Sequence, residues 1–150
     1  MEVLKNWIET GTDIFKLSQD AITNKPISQI WWSYLAIDTQ MNSLIGNCGF
    51  KGEPIDGRVE IGYEVCKTFR NQGYGTEKVL ELINIAFCSK TVNSILARTL
   101  YHINPSITVL KNCGFNFLKE VIAQDKEKLN EWILLKINYS RSSKAGRKLL

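Results

Sequence analysis

The chain has 150 residues, the usual size of one domain, and a hydrophobic content of 44% that can supply a core. No window approaches the roughly 18 apolar residues of a membrane span, and the start MEVLKNWIETG carries charge where a signal peptide needs an apolar run. A soluble, cytoplasmic protein is expected. The net charge of +4 is modest and much of it lies in RSSKAGRKLL, which predicts a domain over 1–140 with a basic tail over 141–150. A basic body suited to nucleic acid is lacking. Cys48, Cys66, Cys88 and Cys113 are widely spaced and accompanied by a single histidine, His102. They read as buried reduced thiols, with no metal site.

In chain order, the first thirty residues read as helical, broken by Gly11 and Pro26, with Trp7, Ile8, Ile14, Phe15 and Leu17 available for packing. WWSYLAID and SLIGNCGF are apolar runs separated by the polar TQMN, a hairpin pattern, and KGEPIDGR is a loop. RVEIGYEVC alternates with period two: Val59, Ile61, Tyr63 and Val65 point one way, and Glu60, Gly62 and Glu64 the other. From Thr76 to Cys88 the period becomes helical, with Val79, Ile83, Ala86 and Phe87 on one face and Leu80 and Leu82 widening it. SILARTLY is a strand, and NPSITVLKNCGF a short helix with Pro105 near its first turn and Gly114 as its stop. NFLKEVI and EWILLKINY are the last strands, with Ile133, Leu135, Ile137 and Tyr139 on a shared face. The strand–helix–strand unit in the middle requires a parallel crossover. The fold class is α+β: a mixed, mostly antiparallel sheet with a central parallel crossover and helices on both faces.

RNQGYGTEKVLELINIAF raises the functional question. It fails the P-loop pattern, because Gly75 is followed by Thr76, Glu77 and Lys78, and it fails GxGxxG, because Lys78 takes the third glycine's place. What remains is a short connection bearing Arg70, two glycines that let a ligand approach the backbone, and a helix N-terminus behind them. Geometry alone leaves two readings open, an anion cradle and a glycine-rich helix start that binds nothing.

Arg70-Asn71-Gln72-Gly73-Tyr74-Gly75 resembles the Arg/Gln-x-x-Gly-x-Gly/Ala signature of the GCN5-related N-acetyltransferases (GNAT). VEIGYEV before it is similar to the fourth strand of the ribosomal-protein N-terminal acetyltransferase branch. ARTLYHINPSITVLKNCGF resembles the family's second block, and WWSYLAIDTQMNSLIGNCGFKG its second and third strands. The likeness covers about residues 31–139, nearly three quarters of the chain.

The resemblance implies acetyl-CoA as co-substrate and an amine as acceptor, a peptide N-terminus or a small amine. The backbone of Val65 and Lys67 would run beside the pantetheine arm. Arg70, Asn71, Gln72, Gly73, Tyr74, Gly75 and Thr76 would hold the pyrophosphate, and Asn104 and Ser106 would lie near the pantetheine end. Trp31, Trp32 and Tyr34 are candidates for the acceptor wall, although core or interface packing is the more ordinary role for the tryptophans. Glu60 is the candidate base and Glu64 the alternative; Tyr101 and Ser106 are candidate proton donors to the thiolate. Many relatives carry a tyrosine acid five residues before the Gly-Phe phenylalanine, where this chain has Leu110. The resemblance implies a strand and helix before the matched region that this chain is expected not to hold in full; either the fold tolerates that or a partner chain, as in a homodimer, supplies edge contacts. A non-catalytic acyl-CoA-binding or regulatory module is the alternative function.

Overall fold

The computed structural model describes Met1, Val3 and residues 13–139, with the side chain of Ile14 excepted. The expectations for Trp7, Ile8, Ile14 packing and the 141–150 tail lie outside the described residues. Helix α1 spans Asp13–Asn24, and Pro26 opens a 3₁₀ segment, Pro26–Trp31. Three strands follow, β1 Ser33–Asp38, β2 Ser43–Phe50 and β3 Arg58–Val65, then α2 Tyr74–Cys88, β4 Ser94–Leu100, α3 Pro105–Asn112, β5 Asn116–Ile122 and β6 Lys128–Leu135.

The six strands form one sheet in the order β1-β2-β3-β4-β6-β5. Only β3 and β4 are parallel, joined by the α2 crossover; the other neighbours are antiparallel. The α+β class and central crossover are therefore as expected. The β5–β6 hairpin is inserted so that β6, not β5, lies against β4.

Alternation along the strands assigns the two faces. Val59, Ile61, Ile95 and Ala97 point to the α2 side and form the core with Val79, Leu82, Ile83 and Ala86 of the helix, all at most 2% exposed. Burying these side chains stabilises the fold by roughly 1.5–3 kcal/mol for each larger one. Helices α2 and α3 pack on each other on this face. On the other face, α1 meets β1, where Ser18 and Ser33 hydroxyls hydrogen-bond at 3.0 Å.

Several local expectations are corrected. Leu17 is 59% exposed, and Ser18 is the α1 residue that is buried. In β6 the buried hydrophobic residues are Trp132 and Leu134, while Leu135 and, beyond the strand, Ile137 are exposed. Residues 136–139 turn helical, which breaks the period-two alternation; Tyr139 then stacks on Phe87. Among the cysteines, Cys66 and Cys113 are buried, Cys48 is half-buried and Cys88 is exposed.

Candidate active site

Strands β3 and β4 are paired from Arg58–Ser94 to Ile61–Ala97 and no further, although β3 continues to Val65 and β4 to Leu100. Two parallel strands that part in mid-course leave a cleft between Gly62–Val65 and Arg98–Leu100. The backbone on the β4 side of Gly62–Val65 is without a strand neighbour there, so an extended ligand can take the missing strand's place.

The connection from β3 to α2 stands at the end of this cleft. A 3₁₀ turn, Lys67–Phe69, leads to Arg70, whose Nε–H donates to the Val65 carbonyl at 3.0 Å and ties the loop to the strand end. Asn71 (φ 61°) and Gly73 (φ 87°) both adopt left-handed conformations. Gln72 is turned back, with Nε2–H donating to the Thr68 carbonyl. Gly73 is the N-cap of α2 and provides no side-chain cap. The first helical hydrogen bond runs from Glu77 N–H to the Gly73 carbonyl at 3.0 Å, so the N–H groups of Tyr74, Gly75 and Thr76 precede the ladder. No heavy atom lies within 4 Å of where a Cβ on Gly73 would stand. Exposed backbone donors, a helix N-terminus and open space are the parts of an anion cradle.

Tyr74 lends its backbone to this turn while its side chain reaches the β1–β2 turn. Its hydroxyl donates to Asp38 Oδ2 at 2.8 Å, pinning α2 to the β1–β2 turn. Backbone N–H groups of Met41 and Gln40, together with the Tyr74 hydroxyl, hold the Asp38 carboxyl below its usual range, with the Met41 contribution the largest. The helix begins at Tyr74, two residues before the predicted Thr76.

Tyr63 is a site residue that periodicity alone placed merely in the core. It lies on the diverging half of β3, and its hydroxyl donates to the Ser106 carbonyl in the first turn of α3 at 3.2 Å. This bond ties β3 to α3 beside the separated strand ends. Desolvation keeps the phenol protonated well above its ordinary range, so Tyr63 acts as a brace. Asn104 is the α3 N-cap residue and donates to the Leu100 and His102 carbonyls at 3.2 and 2.7 Å, which fixes the β4–α3 turn. Ser106 sits inside the first turn and is not the cap. Tyr101 follows β4, half exposed, with Lys128 Nζ 5.3 Å from its ring centroid. Leu110, at the place of the family's tyrosine, is fully buried.

The other sheet face carries charge. Lys51 Nζ lies 2.8 Å from Glu60, Arg98 3.8 Å from Glu60 and 2.8 Å from Glu131, and Lys119 3.9 Å from Glu131. The row alternates in sign across four strands, anchored by Glu131, whose side chain is 6% exposed. Glu60 thus belongs to an ion-pair row and sits where β3 and β4 are still paired. Glu64 shares its face but lies on the unpaired half. Trp31 is 8% exposed and packs edge-on against Phe50 at 5.1 Å, which places it in the core and not on an acceptor wall. Tyr34 is half-buried on the α2 face, a cross-strand neighbour of Cys48 and through it of Tyr63, and it lines an open cavity of about 570 Å³ with Asp38, Cys48, Tyr74 and Lys78. Trp32 is half-buried, donating to Ser28 Oγ at 3.2 Å.

Lys78 connects the cradle to the cleft. It is 6% exposed, and its ammonium donates to the Glu64 carbonyl at 2.8 Å. Burial lowers its pKa. The unfolded chain then binds more protons than the folded one between the lowered value and the ordinary 10.5, so this group makes stability rise with pH up to that limit. The stability of wild type relative to Lys78→Met should rise as pH rises from 7 towards 10, measured by urea unfolding; a pH-independent difference would contradict the assignment.

The acetyltransferase (GNAT) domain family matches residues 4–116. The chain belongs to the GNAT acetyltransferase family. It is 34% identical over 90 residues to an uncharacterized N-acetyltransferase p20 of Bacillus licheniformis, covering 59% of this chain and 49% of that protein. The chain spans about half the length of the curated relatives it matches. Among solved structures, a point mutant of the spermidine N-acetyltransferase SpeG from Vibrio cholerae superposes with a TM-score of 0.71 at 12% identity, over 86% of this chain and 79% of that one. The ribosomal-protein-S5-alanine acetyltransferase from Vibrio fischeri gives 0.68 at 15% identity, over 82% and 69%. These likenesses establish the GNAT fold. No described helix is long and apolar enough to cross a membrane, and no group of three or more metal-ligating side chains is gathered among the described residues.

Proposed function

We propose that the chain transfers an acetyl group from acetyl-CoA to a primary amine. The observation that carries this reading is the parting of β3 and β4 directly beside the open cradle at Gly73. Backbone groups of Val65 and Lys67 line the path of the extended pantetheine arm. The N–H groups of Tyr74, Gly75 and Thr76 and the charge of Arg70 hold the pyrophosphate, with Asn71, Gln72 and Gly73 shaping the turn. Asn104 and Ser106 border the far end of the cleft.

Acetyl-CoA supplies the acyl group as a thioester. In the exchange the C–S bond breaks as the C–N bond forms. The amine must give up a proton, and Glu64, on the half of β3 that has parted from β4, is the better placed base; Glu60, the other candidate, sits where β3 and β4 are still paired. The thiolate leaves readily because its conjugate thiol has a pKa of only about 8.5, so the buried Leu110 is compatible with turnover; Tyr101 and Ser106 are the hydroxyls on hand to reprotonate it. Trp32 remains the aromatic candidate for the acceptor side. Acceptor identity, peptide N-terminus or small amine, rests on the ribosomal-protein resemblance, and a homodimer would meet at β1, an edge strand among the described residues.

Thermal stabilisation by acetyl-CoA and thiol release with a panel of amines and Ala- or Ser-starting peptides test the reading. Absence of stabilisation overturns it, and stabilisation without turnover on any acceptor favours a non-catalytic acyl-CoA-binding module. Glu64→Gln should lower turnover about a hundredfold or more where the amine is protonated, and progressively less as pH rises past the amine's own pKa. If the pH–rate profile moves only in Glu60→Gln, the base is Glu60.

A further inference from the structure

The cavity of about 570 Å³ is a groove between β1 and α2. Its lining is apolar at Ile37, Ile45, Leu82 and Ile85, and Ile37 is 44% exposed. Glu77 and Glu81 of α2 also line it, both exposed and neither ion-paired with a described residue. Tyr139, the last described residue of the chain, sits on the same helix: its ring packs on Phe87 at 5.6 Å, and its hydroxyl donates to Asn84 Oδ1 at 3.4 Å. From Asn84, Glu81 and Glu77 lie roughly 5 and 10 Å along the helix axis. An extended chain spans about 3.3–3.6 Å per residue, so residues 140–150 reach across α2 into the groove with length to spare. They carry Arg141, Lys144, Arg147 and Lys148, no acidic residue, and the apolar pair Leu149-Leu150.

We propose that residues 140–150 dock in this groove of their own domain, with the basic side chains against Glu77 and Glu81 and the two leucines on the apolar lining. The two surfaces are complementary in both respects. Exposed ion pairs are weak singly, so the charges set where the segment lies, and the hydrophobic effect of covering Ile37, Ile45 and Ile85 holds it there. The tether at Tyr139 makes the encounter intramolecular, which raises the effective concentration of the segment at the groove. Docked in this way, the segment is a strap that clamps α2 to β1 beside the hydrogen bond from Tyr74 to Asp38. The inference stands on the groove and on the charge of the segment, and it does not depend on acetyl transfer.

Two cysteines supply the test. Cys48 is half-buried and lines the groove, whereas Cys88 is exposed and does not line it. Alkylation of the whole chain by N-ethylmaleimide, read for each cysteine by mass spectrometry, compares four proteins. These are wild type, a variant with Arg141→Glu, Lys144→Glu, Arg147→Glu and Lys148→Glu, a variant with Glu77→Lys and Glu81→Lys, and the two sets combined. Burial raises the Cys48 thiol pKa, so the reaction is followed at mildly alkaline pH. Each one-sided variant at low salt should label Cys48 about tenfold or more faster than wild type, and so should wild type at about 1 M salt, where the screening length falls to about 3 Å. Cys88 should react at one rate throughout. The combined variant should return to slow labelling of Cys48 at low salt, and damage to the fold cannot produce that return. Leu149→Asp with Leu150→Asp should label fast at any salt. Equal Cys48 rates in wild type and the tail variant overturn the proposal, as does a combined variant that stays fast. Slow labelling that is lost on diluting the protein places a second copy in the groove and overturns the intramolecular strap.

Discussion

Replacing Gly73 by valine is expected to weaken acetyl-CoA binding tenfold or more while leaving the fold intact. Gly73 has φ 87° and caps α2 without a side-chain hydrogen bond. A β-branched residue resists that conformation, at roughly 1–3 kcal/mol, and its methyl groups would occupy the open side of the turn. No heavy atom beyond the chain neighbours lies within 4 Å of a Cβ there, so the added Cβ itself meets no collision. The apo melting temperature should therefore fall by only a few degrees. The N–H groups of Tyr74, Gly75 and Thr76, however, would lose their open approach and their alignment. Isothermal titration of acetyl-CoA into wild type, Gly73→Ala and Gly73→Val should give a graded loss, with alanine between. An unchanged dissociation constant in the valine variant would return this stretch to the status of a glycine-rich helix start that binds nothing.

The parts of this site differ in how far the sequence discloses them. The glycine turn and the helix behind it were legible, because Gly73, Gly75 and the apolar period of Val79, Ile83 and Ala86 are local signals. The alternation of β3 was legible too, since Val59 and Ile61 are buried while Glu60 and Glu64 face away. The parting of β3 from β4 was not: both strands keep their alternation past Ile61 and Ala97, and separation is a property of the pair. The same applies to the ion-pair row, whose members Arg98 and Glu131 lie 33 positions apart. The last strand was misread for a local reason. Ile137 and Tyr139 extend an apparent period of two, but the chain turns helical at 136–139, and the inward residues are Trp132 and Leu134.

Gly46→Ala should destabilise the protein by about 4 kcal/mol or more, the largest loss expected from adding one methyl group here. Gly46 has φ 152°, and a Cβ there would stand 2.1 Å from the Glu64 carbonyl oxygen and 2.6 Å from Lys78 Nζ. The carbonyl belongs to the backbone of a paired strand and cannot step aside without loosening β2 from β3. Lys78 would be driven off the oxygen it serves, leaving a buried ammonium and a carbonyl unpaired, each costly in a low-dielectric interior. Gly73→Ala is the control, because it imposes a left-handed conformation on alanine without any collision. In a domain of this size each kcal/mol moves the melting temperature by about 2–4 °C, so Gly46→Ala should melt roughly 10 °C or more below wild type and Gly73→Ala only a few degrees below. Equal shifts would mean that conformation, not contact, governs both positions. Because Glu64 lies on the half of β3 that borders the cleft, Gly46→Ala should also disturb acetyl-CoA binding at temperatures where it remains folded. Helix α2 presents the cradle at its N-terminus and, one turn later, holds the cleft strand through Lys78, and Gly46 is the gap in β2 that lets Lys78 reach it.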